Sequence, residues 1–154
     1  MLSFRKATLA DTKIYFDWAN DSCVREQSYK SSIIDFENHK KWFEAKIADD
    51  SCIFLIFQSQ KNENIGQIRI QKDDQNQALI GISIAKEHRG KGYATEMLLL
   101  ATDYFFKNNK GYSLNAYIKE QNRSSKQAFE RAGFKFKNII NYENCSSLHF
   151  IKKI

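Results

Sequence analysis

Residues 82–95 read Ile82-Ser83-Ile84-Ala85-Lys86-Glu87-His88-Arg89-Gly90-Lys91-Gly92-Tyr93-Ala94-Thr95. An alternating apolar strand runs into an arginine, two glycines one residue apart, and a long apolar helix. A strand ending this way aims backbone N–H groups, at a positive helix end, toward one point, which makes a receptor for phosphate or pyrophosphate. Arg89 adds a side chain suited to phosphate, and Gly90 and Gly92 let the backbone approach closely. Lys91 lies between the glycines, and Tyr93, Ala94 and Thr95 open the helix. Two other phosphate motifs do not fit. A P-loop needs Ser or Thr after Gly-Lys, where Gly90-Lys91 is followed by Gly92. The dinucleotide fingerprint wants Gly or Ala where Thr95 stands, inside a parallel unit, whereas the strands before residue 82 read as an antiparallel meander.

A second segment reads Asn122-x-x-Ser125-x-x-Ala128-Phe129-x-x-x-Gly133-Phe134. Asn122 suits a helix N-cap and Gly133 a left-handed C-terminal cap. Arg89-x-x-Gly92-x-Ala94 between strand and helix, together with this segment, resembles the GNAT acetyltransferase superfamily. The resemblance covers residues 1–154 in element order and is sharpest from Ala78 to Phe134. It implies that the amides of the turn Arg89–Thr95 hold the pyrophosphate of acetyl-CoA. It also implies that Ile82, Ser83 and Ile84 pair with the pantetheine arm, one of their amides polarising the thioester carbonyl. Asn122 would contact the same arm, Ser125 belongs to that motif, and Phe129 would pack against the coenzyme. The fourth and fifth strands are expected to splay to admit the acyl arm.

Two departures from the family pattern bear on mechanism. Many members carry a tyrosine at Phe129, whose hydroxyl protonates the leaving thiolate, and a glutamate at Leu79 that helps deprotonate the amine. Neither Phe129 nor Leu79 can do so. Deprotonating an alkylammonium of pKa near 10.4 costs about 4 kcal/mol at pH 7, and less for a less basic amine. Positioning and desolvation can then supply much of the barrier reduction. Ser83 and Asn115, on the two splayed strands, are expected to orient the amine. His39 is a candidate base, although its helical position equally suits a satisfied structural histidine. His88 is expected to face solvent. None of Cys23, Cys52 and Cys145 stands in a nucleophile context, which favours direct attack over a covalent enzyme intermediate.

The acceptor side falls to Trp18-Ala19-Asn20, Val24-Arg25-Glu26, Tyr29 and His39-x-x-Trp42. This layout resembles GNAT members that acetylate nucleotide-linked aminosugars, and in part the ribosomal-protein N-terminal acetyltransferases. Arg25 is expected to pair with a nucleotide phosphate, Glu26 to belong to the same set, and Tyr29 or Trp42 to stack on a base or sugar. Trp18, Trp42 and Phe43 equally fit core spacing. Tyr117 and Tyr142 are candidates for the far end of the groove. The expected activity is acetyl transfer from acetyl-CoA to a primary amine of a small molecule. A protein N-terminal acetyltransferase and a non-catalytic acetyl-CoA-binding domain are the alternatives.

The elements that must position these residues are legible from periodicity. Leu2–Ala7 alternates as a first strand, and Thr8 or Asp11 can cap a helix bearing Ile14, Tyr15, Trp18 and Ala19, which Asn20-Asp21-Ser22 ends. Ser32 or Asp35 caps a second helix with Phe36, Trp42, Phe43 and Ile47. Cys52–Phe57 is a continuous apolar run, expected to be a strand buried on both faces. Ile65–Ile70 and a strand with Ile80, Ile82 and Ile84 on one face complete a three-stranded meander. A helix from Gly92 carries Met97, Leu98, Ala101 and Phe105 on one stripe. It leads to a parallel fifth strand at Leu114–Ile118, a fourth helix, and a closing hairpin. The expected fold is an α/β mixed sheet of about seven strands with four helices on its faces.

With 154 residues the chain reads as one domain, residues 1–154. The net charge of +6 is scattered rather than blocked, which argues against a nucleic-acid partner and suits an anionic cofactor and substrate. No apolar run approaches the roughly 18 residues of a membrane span, and the start carries no signal-peptide pattern. Three separated cysteines with no metal-ligand spacing fit reduced thiols in the cytoplasm and no metal site. A monomer or homodimer is expected.

Overall fold

The computed structural model describes residues 1–154. Seven strands form one mixed sheet: β1 (Ser3–Lys6), β2 (Cys52–Gln58), β3 (Asn64–Lys72), β4 (Gln77–Ile84), β5 (Ser113–Lys119), β6 (Lys135–Tyr142) and β7 (Cys145–Lys152). Their order across the sheet is β1-β2-β3-β4-β5-β7-β6. The first four pair antiparallel, β4 and β5 pair parallel, and β7 lies between β5 and β6. The β2–β3 and β3–β4 turns hold Asn62 and Asn76 at positive φ, a conformation asparagine tolerates better than most residues. The β6–β7 hairpin turns on Glu143 and Asn144, both left-handed, as a two-residue hairpin loop requires.

Five helices cover the sheet, against the four expected: α1 (Thr12–Ala19), α2 (Ser22–Gln27), α3 (Phe36–Ile47), α4 (Tyr93–Asn108) and α5 (Arg123–Arg131). The additional one is α2. Asn20-Asp21-Ser22 does end α1, yet the Asp21 carboxylate also accepts from the amides of Cys23 and Val24 and starts a new helix at once. Six residues are too few to show a 3.6-residue period. Asp35 caps α3 through the Asn38 amide, and Asp11 stands at the N-cap of α1.

Residues Phe54–Phe57 of β2 are all buried because alternate side chains enter different layers. Leu55 and Phe57 join a core of 21 buried residues that includes Met97, Leu98, Ala101 and Phe105 of α4 and Ala128 and Phe129 of α5. Phe54 and Ile56 join a separate cluster of 5 with Ala7, Tyr15 and Phe43, under α1 and α3. Each large apolar side chain so buried stabilises by about 1.5–3 kcal/mol.

The parallel pairing of β4 with β5 stops after three residue pairs: Gln77 with Ser113, Ala78 with Leu114 and Leu79 with Asn115. Beyond them β4 stays with β3 as far as Ile84, while β5 follows β7 as far as Lys119. The two strands therefore diverge, and the edges of Ile80–Ile84 and Ala116–Lys119 face a gap. Asn115 pins the closed end. Its Nδ2 donates to Gln77 Oε1 at 2.9 Å and to the Ala78 carbonyl at 3.2 Å, and its Oδ1 lies 2.8 Å from His149 Nε2.

Candidate active site

The gap between β4 and β5 opens into a groove of about 1010 Å³ that runs from the start of α4 and α5 to the space beneath α1–α3. At one end stands the turn between β4 and α4. Gly90 and Gly92 take φ of +75° and +80°, and Gly92 is the N-cap of α4. No side chain caps this helix, so its leading N–H groups are left for an outside acceptor. Gly90, Gly92, Tyr93, Ala94 and Thr95 line the groove, whereas Lys91 is exposed and lies outside its lining.

Arg89 is placed differently from expectation. Its Nε donates to the Ile84 carbonyl at 3.0 Å and its Nη2 to Asp21 Oδ1 at 2.8 Å. The guanidinium therefore locks the turn to the α1–α2 junction instead of standing free for phosphate. Burial raises the Asp21 carboxyl, but its bonds to Arg89 and to the Cys23 and Val24 amides outweigh this and hold its pKa below the ordinary value. His88 does not face solvent. It is buried in a one-turn 3₁₀ helix, Lys86–His88, with its ring edge-on to Tyr93 at 6.3 Å. The short turn folds it under the strand end, which a polar neighbourhood in sequence does not betray.

Along the walls, Ile82, Ser83 and Ile84 of β4 border the groove opposite Ala116 and Ile118 of β5. Ser83 Oγ accepts from Gln67 Nε2 at 2.8 Å. Asn122 and Ser125 lie at the start of α5, where Asn122 Oδ1 accepts from the Ser125 amide at 3.3 Å. Phe129 is buried, edge-on to Phe134 at 4.9 Å. Leu79 is an exposed apolar side chain. The chain thus has no proton-transfer group at either position.

Of the three residues expected near the amine, only Ser83 stands on the open groove wall, its hydroxyl accepting from Gln67. Asn115 is consumed by its bonds at the closed end of the gap and lies outside the lining. His39 borders the groove but is only 3% exposed, with Nε2 bonded to the Thr12 carbonyl and its ring stacked on Phe43 at 6.0 Å. Burial pushes its pKa below the usual histidine value, partly offset by the Thr12 bond. The imidazole joins α1 to α3.

The acceptor side needs similar corrections. Arg25 donates to the carbonyls of Ala19 and Lys30 and to Ser28 Oγ, bracing the segment between α2 and α3 rather than offering its fork to a phosphate. Asn20 holds the same segment by a reciprocal pair of bonds with the backbone of Ile34. Glu26 is exposed and outside the groove. The Tyr29 hydroxyl is bonded to Ser147 Oγ at 2.6 Å, and its ring meets Tyr142 edge-on at 4.9 Å. Tyr142 in turn stacks on Tyr117 at 4.1 Å, and Tyr117 forms groove wall. Trp42 is an exposed aromatic and does line the groove.

Among the groove residues that drew no sequence reading are Gln67 and Arg69. They alternate with Ile68 and Ile70 on β3 and project to the opposite face. Their period-2 placement was visible in the sequence, but a polar sheet face is ordinarily solvent. Here α1 and α3 roof it.

The chain from residue 1 to 135 matches the family model described as an acetyltransferase (GNAT) domain. The chain belongs to the GNAT acetyltransferase family. Members of this family take acetyl-CoA as co-substrate, which accords with the free helix end, the left-handed glycines and the unpaired β4 edge described above. Among curated relatives, the chain is 25% identical over 123 residues to YokL, an SPbeta prophage-derived N-acetyltransferase of Bacillus subtilis, spanning 79% of this chain and 69% of YokL. It is 33% identical over 89 residues to the probable N-acetyltransferase YjcK of the same organism, which covers 56% of this chain and 49% of YjcK. Among solved structures, spermidine N-acetyltransferase from Vibrio cholerae with CoA and spermine superposes with a TM-score of 0.87 at 18% identity, covering 98% of this chain and 94% of that one. The aminoglycoside acetyltransferase AAC(6')-Ib with ribostamycin and coenzyme A gives 0.86 at 15% identity, over 99% and 93%. At these identities the superpositions speak for the GNAT fold. No helix of the chain is long and apolar enough to cross a membrane.

Proposed function

We propose that this GNAT domain transfers the acetyl group of acetyl-CoA to a primary amine of a small molecule, the favoured acceptor being a nucleotide-linked aminosugar. The observation that carries the reading is the groove itself. It passes through the β4–β5 gap, with a free helix end on one side and a separate walled chamber on the other. The turn Gly90–Thr95 and α4 take the pyrophosphate, the open edge of Ile82–Ile84 takes the extended arm, and Asn122 and Ser125 border it. The neutral amine attacks the thioester carbon from the chamber side and the carbon–sulfur bond breaks; the nitrogen gives up one proton to water as the amide forms, and the leaving thiolate takes one from water, since Phe129 has none to give. Ser83, oriented by Gln67, presents its hydroxyl to the amine. The charge of the groove bears on the acceptor. No aspartate or glutamate lines it, whereas Arg25, Lys30, Arg69, Arg89, Lys119 and Arg131 do. Such walls repel polycations and attract anions, which supports a phosphate-bearing aminosugar over a polyamine.

The test is thiol release from acetyl-CoA across nucleotide-linked aminosugars, aminoglycosides, polyamines and short peptides, beside a Gly92→Glu variant. Turnover on the sugars, with coenzyme affinity lowered at least 100-fold by Gly92→Glu and the fold intact, is the expected result. Coenzyme binding unaffected by Gly92→Glu overturns the coenzyme assignment, and turnover on peptides alone moves the chain to a protein acceptor.

A further inference from the structure

Arg69 is the one guanidinium facing the acceptor chamber with no partner. Arg25 and Arg89 are both bonded to oxygen atoms of the chain, whereas Arg69 makes no hydrogen bond or ion pair. Its guanidinium carbon stands 5.6 Å from the centre of the Trp42 ring, and its Nη2 lies over Gly81, 3.7 Å from where a β-carbon there would stand. The residue is exposed, and it lines the groove beneath α1 and α3. That enclosure, with the nearby charge of Arg25 adding to it, draws its pKa below the ordinary arginine value, although arginine remains a cation. Beside it the buried Tyr15 hydroxyl also lacks a hydrogen-bond partner.

The position is informative as well as the charge. Arg69 pairs with Gly81 across β3–β4, and Gln67 pairs with Ser83. The two pairs are one strand repeat apart, about 7 Å along the sheet. Ser83 marks the point where the amine meets the thioester in the reading above. A glycine at 81 leaves the sheet floor bare beneath the guanidinium, so an oxyanion can settle between floor and Trp42.

We propose that Arg69 is the acceptor's anchor: the enzyme selects amines that carry a carboxylate or phosphate about 7 Å from the reacting nitrogen, and Arg69 binds that group. This rests on the acetyltransferase reading and narrows its substrate class. The planar fork takes two oxygens of either anion. Trp42 covers the exposed face of the guanidinium and keeps it extended over Gly81. The Arg69 contact forms with the ground state and the transition state alike, so it acts through KM more than kcat.

The experiment compares wild type, Arg69→Gln and Arg69→Lys on matched amines: glucosamine 1-phosphate and a nucleotide-linked 4-aminosugar against the unphosphorylated sugars, an amino acid against its amide, and spermidine. Thiol release gives kcat and KM. Calorimetry on the protein–coenzyme A complex gives affinity for the same amines whether or not they turn over, and a melting curve confirms each fold. Wild type is expected to prefer the anionic member of at least one pair by tenfold or more. Arg69→Gln should remove that preference through KM with coenzyme affinity unchanged, and Arg69→Lys should restore part of it. The pair that shows the effect tells phosphate from carboxylate. Equal treatment of anionic and neutral amines by wild type and Arg69→Gln overturns the anchor while leaving the acetyltransferase reading in place. Anionic amines bound through Arg69 but never acetylated would retain the anchor and overturn that reading.

Discussion

Replacing Gly66 with alanine tests how tightly the coenzyme strand is positioned. Gly66 pairs with Ile84 across β3–β4. A β-carbon there would stand 2.4 Å from the Ser83 carbonyl oxygen, 3.1 Å from Ile84 Cα and 3.1 Å from Met97 Cε. The methionine end can swing aside, but the two backbone atoms cannot. Ordinary contact needs about 3.5 Å, so the end of β4 must retreat by about 1 Å. Overpacking of this kind costs about 1–3 kcal/mol, which lowers the melting temperature of a chain this size by roughly 2–12 °C. The same shift carries the Ser83–Ile84 edge away from the thioester, and a misplacement of about 1 Å can cost on the order of 100-fold in rate. For stability Gly81→Ala is the control, because its β-carbon meets Arg69 Nη2 at an ordinary 3.7 Å. Thermal denaturation reads both variants, and steady-state thiol release reads Gly66→Ala against wild type. A Gly66→Ala protein that melts like wild type and keeps kcat within about threefold would refute the reasoning, since the strand end would then be free to move without consequence.

Asn122→Ala removes the bond to the Ser125 amide and should cost about 1 kcal/mol of stability. If Asn122 also meets the coenzyme arm, the dissociation constant for coenzyme A rises severalfold in calorimetry; an unchanged constant would leave it a helix cap alone. Asp11 is buried and bonded to both terminal nitrogens of Arg5 and to the Thr8 amide. The Arg5 bond, working against burial, holds its pKa below the ordinary carboxylate value. Its contribution is therefore fully present above the unfolded pKa near 3.9 and is lost as pH falls through the lower folded value. Urea unfolding across pH 5 to 2 should show that decline, flattened in Asp11→Asn. An identical slope in the variant would remove Asp11 as its source.

The meander was legible because Ile65–Ile70 alternates, Ile80, Ile82 and Ile84 share one face, and asparagine-rich turns bound them. The turn before α4 was legible because left-handed glycines and a helix end are set by backbone, which local sequence specifies. The acceptor side was not, since a polar side chain's task depends on what the tertiary fold sets beside it. Arg25 and Arg89 read as phosphate ligands but found carbonyls and a carboxylate within their own chain. Arg69 drew no reading, because only the packing of α1 and α3, more than twenty residues upstream, sets it in the wall of a groove. Asn115 read as a groove residue and became a clamp because β7, the last strand made, brings His149 to it.

The division of the apolar interior into two separate clusters has a consequence for how such a protein can change. The larger cluster carries the coenzyme framework, while Tyr15, Phe43, Phe54, Ile56 and Ala7 hold α1 and α3 over the acceptor chamber on their own. Substitutions that repack this small cluster tilt the roof without disturbing Met97, Leu98 or Phe129 beneath the other face. On the acetyltransferase reading, the roof of the acceptor chamber can therefore be reshaped through this small cluster while the larger one beneath the coenzyme groove is left as it is.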